Sequence, residues 1–164
     1  PGSRAVAGPG GGVMSMVVER TRAVPAHAAV AWSVVSDMAG YADHAEGLAE
    51  TTITEGSGLG AIRRCVDTSG ADWQETCVLW DPGSRFVVEV DVGSYPLKFR
   101  TLFSAFRGTW WVAEQEGETV VGIRFEAGLR RLAAPMRSQI EQRLAHDLDD
   151  ILDSYERAMA GVRD

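Results

Sequence analysis

The sequence predicts an α+β domain in which one long C-terminal helix lies across an antiparallel sheet. Residues 135–160 place Met136, Ile140, Leu144, Leu148, Ile151, Leu152, Tyr155 and Met159 at steps of three and four. That spacing lays one apolar stripe along a helix and leaves Glu141, Asp149, Asp150, Asp153 and Glu156 on the solvated face. From residue 50 onward the period drops to two, with turn signals roughly every 8 to 12 residues. Strands followed by a segregated helix give a sheet with the helix on one face.

The first stretch, PGSRAVAGPGGGVMSM, is dominated by Gly and Pro and lacks an apolar core of signal-peptide length. Residues 1–15 read as a flexible leader or expression remnant, and residues 16–161 as the single domain. Met16–Ala23 has strand character, and Pro25 punctuates it. Ala26–Met38, rich in Ala and Val, predicts a short helix, and Tyr41–Glu46 a second helical turn. Thr51–Glu55 is the next strand, closed by a Gly-rich turn over Gly56–Gly60. Ala61–Asp67 and Trp73–Asp81 flank a polar loop, and Pro82-Gly83 turns the chain into Arg85–Val92. Gly93–Pro96 is a loop. Leu97–Glu114 reads as one long strand bent near Gly108, with Leu97, Phe99, Thr101 and Phe103 on one face. Glu116–Glu118 turns into Thr119–Ala127, and a short connection leads to the last helix. Pro135 suits that helix's first position, where its missing N–H costs nothing, and Gly161 suits the residue past its end. Arg157 follows Asp153 by four residues, a small favourable pairing.

A chain of 164 residues with 45% hydrophobic and 24% charged residues is an ordinary globular domain with a core of its own. Its net charge of −7 argues against general nucleic-acid binding, which depends on neutralising phosphates. No run approaches the ~20 apolar residues of a membrane span. Cys65 and Cys77 fit neither a metal spacing nor a secreted disulfide framework, so reduced thiols in a cytoplasm are expected. No phosphate loop and no ligand-spaced His/Cys cluster is present, so neither cofactor nor metal is expected.

The hairpin 61–81 carries the clearest chemistry. With its loop centred on Gly70, Cys65 opposes Glu75 and Arg63 opposes Cys77, which sets Arg63 and Glu75 diagonally on one face. Ala61, Cys65, Trp73, Cys77 and Leu79 share that face. Ile62, Arg64, Val66, Gln74, Thr76, Val78 and Trp80 occupy the other, and hydrophobicity alone leaves open which face points inward. A buried salt bridge between Arg63 and Glu75, without further function, is the plain alternative to a chemical role. Aromatic residues crowd the next stretch, where Tyr95, Phe99, Phe103, Trp110 and Trp111 lie within seventeen positions. Flat rings along a slot suit a flat ligand, although core packing would also explain them. Neither thiol has a neighbouring His to activate it.

The ordered set VPAHAAVAWSVVSDMAGY, GSGLGAIRRC, WQETCVLWDPGSRF and EGETVVGIRF before the long helix resembles the helix-grip superfamily of START and SRPBCC proteins. The likeness is strongest to the polyketide cyclase/dehydrase group and covers roughly residues 16–160. The resemblance implies a curved seven-stranded antiparallel sheet wrapped around the last helix, with two short helices after the first strand and a deep cavity beneath. One departure is the run Tyr41-Ala42-Asp43-His44, which puts His44 where this group often has a core or cavity aromatic.

The resemblance also turns the Arg of the Gly-x-x-Arg strand and the Glu of the next strand, here Arg63 and Glu75, toward the cavity. They would orient a ligand oxygen or polarise a carbonyl, with His44 as a further candidate base or ligand contact. Tyr41, Cys65, Cys77 and Leu79 are expected to line the cavity, together with Val88 and Val90. Tyr95, at the cavity mouth, would gate entry, and Phe99, Phe103 and Trp110 would supply walls. From the helix, Met136, Gln139, Ile140 and Arg143 are expected nearest to the ligand. The implied function is a cofactor-independent aromatase/cyclase-like enzyme for a polyketide-like molecule. The alternatives are a non-enzymatic carrier of a lipid or isoprenoid, and a regulator whose ligand alters a protein contact. The expected partner is an apolar small molecule, with no nucleic acid and no membrane insertion, and a homodimer is compatible with all three readings.

Overall fold

A computed structural model describes residues 14–162. Residues 1–13 of the leader expected over 1–15 lie outside the described residues, whereas Met14 and Ser15 are already strand, paired with Leu129 and Gly128. The elements run β1 (Met14–Val24), α1 (Ala28–Val35), a 3₁₀ turn (Gly40–Asp43), β2 (Leu48–Glu55), β3 (Ile62–Asp67), β4 (Asp72–Asp81) and β5 (Arg85–Val90). There follow α2 (Leu97–Arg100), β6 (Phe103–Gln115), β7 (Glu118–Leu129), a second 3₁₀ turn (Arg131–Met136) and α3 (Arg137–Gly161). Seven antiparallel strands stand in the order β1-β7-β6-β5-β4-β3-β2 and curve around α3. The first and last strands are therefore neighbours at one edge of the sheet.

Alternation along the strands produces the core. Met16 and Val18 of β1 face inward with Val121, Ile123, Phe125 and Ala127 of β7, all buried. Leu148, Ile151, Leu152, Tyr155 and Met159 of α3 are buried against them. Each such side chain contributes roughly 1.5–3 kcal/mol, as an upper bound. The helix also uses its acidic face. Arg22 of β1 pairs with Asp153 and Glu156, and Arg20 approaches Asp149 at 3.4 Å. Asp153 thus pairs across to the sheet, whereas its sequence neighbour Arg157 was the expected partner. Pro135 lies inside the second 3₁₀ turn, and α3 starts at Arg137, two residues later than the Pro rule indicates.

Two departures from the expected strands bear on the site. Leu97–Leu102 is not strand, because Pro96 opens a turn of helix and the amides of Phe99, Arg100 and Thr101 bond back to Pro96 and Leu97. The shared face expected for Leu97, Phe99, Thr101 and Phe103 is therefore absent, and Leu97 is exposed. A register shift in the β4–β5 ladder between Cys77 and Leu79 reverses the face of β4 beyond it. Leu79 pairs with outward-facing Val87, while Trp80 pairs with buried Phe86 and turns inward against Trp32.

Candidate functional site

The β3–β4 hairpin closes one residue earlier than Gly70 suggests. The Asp67 amide donates to the Ala71 carbonyl at 2.8 Å, so the loop centres on Ser69. The Asp67 carboxylate oxygen Oδ1 fixes this turn by accepting the Ser69 hydroxyl and the amides of Ser69 and Ala71, at 2.6–3.0 Å. Moving the centre by one residue moves the register by two and keeps the faces unchanged. Arg63 therefore stands directly opposite Glu75, rather than diagonal to it, and Cys65 opposes Trp73.

Arg63 and Glu75 face inward, with 3% and 9% of their surfaces exposed. The guanidinium donates to Glu75 Oε2 from Nε at 3.0 Å and from NH2 at 2.5 Å. NH1 donates to the Met38 carbonyl at 3.3 Å, and the Tyr41 ring covers the cation with its centroid 4.7 Å away. Glu75 Oε1 accepts the Trp73 indole N–H at 2.9 Å. Burial alone would weaken the charged guanidinium, but Glu75 alongside more than restores it, so Arg63 stays a cation. Burial holds the Tyr41 and Tyr155 hydroxyls well above their ordinary range, so both remain protonated.

This pair sits in the wall of a cavity of about 250 Å³ between the sheet and the middle of α3. Tyr41, Val88, Val90, Phe99 and Trp110 join Arg63 and Glu75 in the lining. Trp73, Phe106 and Phe125 complete its aromatic walls, with Leu144 and Ile151 above. Gly108 also lines it, and a side chain there would place Cβ 2.5 Å from the Trp110 ring. Trp110 lies flat against Phe86, with centroids 5.1 Å apart and planes 2° from parallel. Its Nε1 is the buried side-chain polar atom that lacks a hydrogen-bond partner among the described residues. Glu46, Asp67, Asp147 and Asp150 bring carboxylates to the lining. Lys98 of α2 reaches Asp67 at 2.6 Å, which fastens the turn carrying Phe99 to the hairpin.

Other expected site residues lie elsewhere. His44 is outside the lining, with Nδ1 2.8 Å from the Ser154 hydroxyl and its ring 4.6 Å from that of Tyr155. It pins the 3₁₀ segment to α3, and burial lowers its basicity. Cys65 and Cys77 are buried beneath the hairpin, and burial raises both thiols, so neither is a thiolate. The Cys77 thiol donates to the Leu79 carbonyl at 3.2 Å. Tyr95 packs against Trp73 and Phe99 behind the wall, and Phe103 is buried beside Phe106. Leu79 points away from the cavity because of the β4 bulge. Ile140 of α3 packs on the core, whereas Met136, the 42%-exposed last residue of the 3₁₀ turn, and Gln139 and Arg143 of α3 lie in solvent. The cavity meets the helix one to two turns later, at Leu144, Asp147, Asp150 and Ile151. The apolar stripe already contained Leu144 and Ile151; Asp150 was expected on the solvated face but lines the cavity, because the sheet curves far enough around α3 to reach it, and Asp147 carried no sequence signal.

A family model described as polyketide cyclase/dehydrase and lipid transport matches residues 15–159. The chain belongs to that family. Solved structures similar to this cyclase-family chain include the di-domain aromatase/cyclase of the steffimycin biosynthetic pathway, at 16% identity and a TM-score of 0.73. The match covers 90% of this chain and 52% of that one, so the chain spans about half its length. An aromatase/cyclase from a Streptomyces species is 22% identical with a TM-score of 0.68, covering 92% of this chain and 100% of that one. Norcoclaurine synthase from Thalictrum flavum, solved with dopamine and hydroxybenzaldehyde, is 17% identical with a TM-score of 0.70 over 99% of both chains. At these identities the likeness establishes the helix-grip fold. Among curated proteins none matches this sequence. No described helix of this cyclase-family protein is long and apolar enough to cross a membrane. No group of His, Cys, Asp or Glu among the described residues is arranged to hold a metal ion.

Proposed function

We propose that this protein binds a compact, flat, polyketide-like molecule beneath α3 and promotes its ring closure or dehydration. The observation that carries this reading is one buried, hydrogen-bonded ion pair, Arg63–Glu75, set among the aromatic and aliphatic side chains of the cavity wall. A carrier of purely apolar molecules has no use for a charged pair there, and keeping one buried costs desolvation. The cavity's 250 Å³ lies just below the ~300–1,000 Å³ typical of drug-sized ligands, which suits a mono- or bicyclic product over an extended chain.

The chemistry required is modest. Phe106, Trp110 and Phe125 fold a flexible polyketone so that one enolisable carbon approaches a second carbonyl. The protonated Tyr41, which lines the cavity with its ring against the Arg63 cation, donates its hydroxyl toward that carbonyl oxygen as negative charge develops on it. The enolisable carbon gives its proton to the lining carboxylate of Asp147, the carbon–carbon bond forms, and the carbonyl oxygen takes the Tyr41 proton, which Asp147 restores; loss of water follows where aromatisation drives it. A second reading, binding without turnover, is favoured by one feature. Both Glu75 oxygens are already engaged, by Arg63 and by Trp73, so neither is free to accept a proton.

Ligand uptake is read from tryptophan fluorescence, since Trp73 and Trp110 line the cavity, and turnover from conversion of a linear poly-β-ketone. Tyr41→Phe should keep affinity within about threefold yet lose cyclisation by about 100-fold, the usual scale of a lost proton donor. Full turnover in Tyr41→Phe refutes the proposed polarisation. Tight binding with no conversion by the unmodified protein establishes the carrier reading.

A further inference from the structure

The cavity's charges are unevenly placed. Its lining holds five carboxylates, from Glu46, Asp67, Glu75, Asp147 and Asp150, against the single cation Arg63. That cation already has its counter-charge in Glu75, which takes two of its five N–H groups, while the Met38 carbonyl takes a third and Tyr41 covers its face. Lys98 likewise answers Asp67. The remaining three carboxylates are poorly compensated. Asp147 faces the largely exposed Arg143 at 2.9 Å, Asp150 faces the His146 imidazole at 3.3 Å, and Glu46 enters no ion pair among the described residues. Asp147 and Asp150 are one turn apart on the helix face that covers the cavity, and their side chains are about two-thirds withdrawn from solvent. Burial raises the Asp147 carboxyl above its usual range even with Arg143 opposing, as expected for an under-compensated charge.

We infer that the cavity selects its ligand by charge: it accepts uncharged or cationic aromatic molecules and rejects the carboxylate form of the same skeleton. This rests on the proposed reading of the cavity as a small-molecule site and sharpens it to a substrate class. A free aromatic or fatty acid entering beneath α3 would bring its negative charge against Asp147 and Asp150 with no unpaired cation to receive it. In a cleft with low-dielectric walls that repulsion is weakly screened. An alcohol, ketone or ester carries no such penalty, and an ammonium group gains from the same two carboxylates. The neutral carbonyls of a polyketide-like substrate fall in the accepted class. A free-acid product would be expelled once formed.

The test compares three molecules with one bicyclic skeleton: naphthylmethanol, naphthylmethylamine and naphthoate. Affinities are measured by calorimetry near neutral pH at about 20 and 500 mM salt. The expected result is that alcohol and amine bind while naphthoate is at least about tenfold weaker, and that salt weakens the amine and strengthens the acid. The double variant Asp147→Asn/Asp150→Asn should narrow the alcohol-to-acid ratio to within about threefold. Glu46→Gln, in an exposed loop, should narrow it partly and provides a readout should the double variant fold poorly. Naphthoate binding as tightly as the alcohol overturns the charge selection while leaving the cavity reading intact. Failure of all three molecules to bind overturns the cavity reading, and the charge selection with it.

Discussion

Replacing Glu75 with Gln tests how the central ion pair is held. The side chains are 3% and 11% exposed for Arg63 and Glu75, so Gln would leave a guanidinium charge buried without its counter-charge. Breaking a buried pair from one side costs about 3–5 kcal/mol. The Met38 carbonyl and the Tyr41 ring still contact Arg63, and the cation–π part retains about 0.5–2 kcal/mol, so the expected cost is near the lower end, about 3 kcal/mol. Arg63→Met, which strands the carboxylate with only the Trp73 N–H, should cost about 4 kcal/mol. The double variant Arg63→Met/Glu75→Leu removes both charges, and similar swaps elsewhere are neutral or stabilising. Urea denaturation of the four proteins with a common slope closes a double-mutant cycle, and a coupling of at least about 5 kcal/mol is expected. A single-variant cost below about 1 kcal/mol would show the pair behaving as a solvated one. Strictly additive costs would refute the coupling altogether. The double variant is also informative about function, because it should fold well and still lose turnover on a polyketone.

The Asp67 turn predicts an acid-sensitive contribution to stability. Burial pushes that carboxyl up, but the Lys98 ammonium, the Ser69 hydroxyl and two amides outweigh it and hold it at about 2. Its folded value is therefore below the ordinary carboxylate range, so its stabilisation is complete above about pH 4 and is lost as pH falls through about 2. Discounted for the half-exposed Lys98, the effect is about 1–2 kcal/mol, and Asp67→Asn should lower urea midpoints at pH 6 but not at pH 2. Equal losses at both values would rule out the linkage. At Gly108, Ala would place Cβ 2.5 Å from the Trp110 ring and 3.3 Å from Phe125. Trp110 is itself stacked on Phe86 and cannot retreat, so Gly108→Ala should cost about 1–3 kcal/mol and shrink the cavity. Unchanged thermal stability and unchanged naphthylmethanol affinity would show that the ring has another place to go.

Much of the fold was legible because local rules and tertiary needs agreed. The 3.6-residue stripe from Leu148 to Met159 and the period-two runs of β3, β5 and β7 each have one buried face, so spacing sorted the residues into faces, although in the β3–β4 hairpin it left open which face is the inner one. Arg63 and Glu75 were placed on one face by alternation, and a register error of two residues left that face unchanged. The misplaced residues share a different cause. Leu79 left the cavity because of a bulge, and Leu97–Leu102 became helix and turn because Pro96 favoured a local hydrogen-bonded turn over pairing. Both are single-residue events that periodicity averages away. On α3, the stripe fixed which side faces the sheet but not how far along it the sheet reaches. Met136, Gln139 and Arg143 therefore extend into solvent, while Asp147 and Asp150 reach the cavity.

The sequence by itself determined the α+β class, the antiparallel strands, the burying face of the long helix and the shared face of one arginine and one glutamate. These follow from spacing, which each segment carries independently of the others. Only the tertiary structure decided that these two residues stand opposite each other as a buried ion pair, that Gly108 makes room for the Trp110 ring, and that carboxylates gather in the cavity lining. Those properties depend on where segments far apart in sequence meet, from Tyr41 through Asp67 and Trp110 to Asp150, and no local spacing encodes such a meeting.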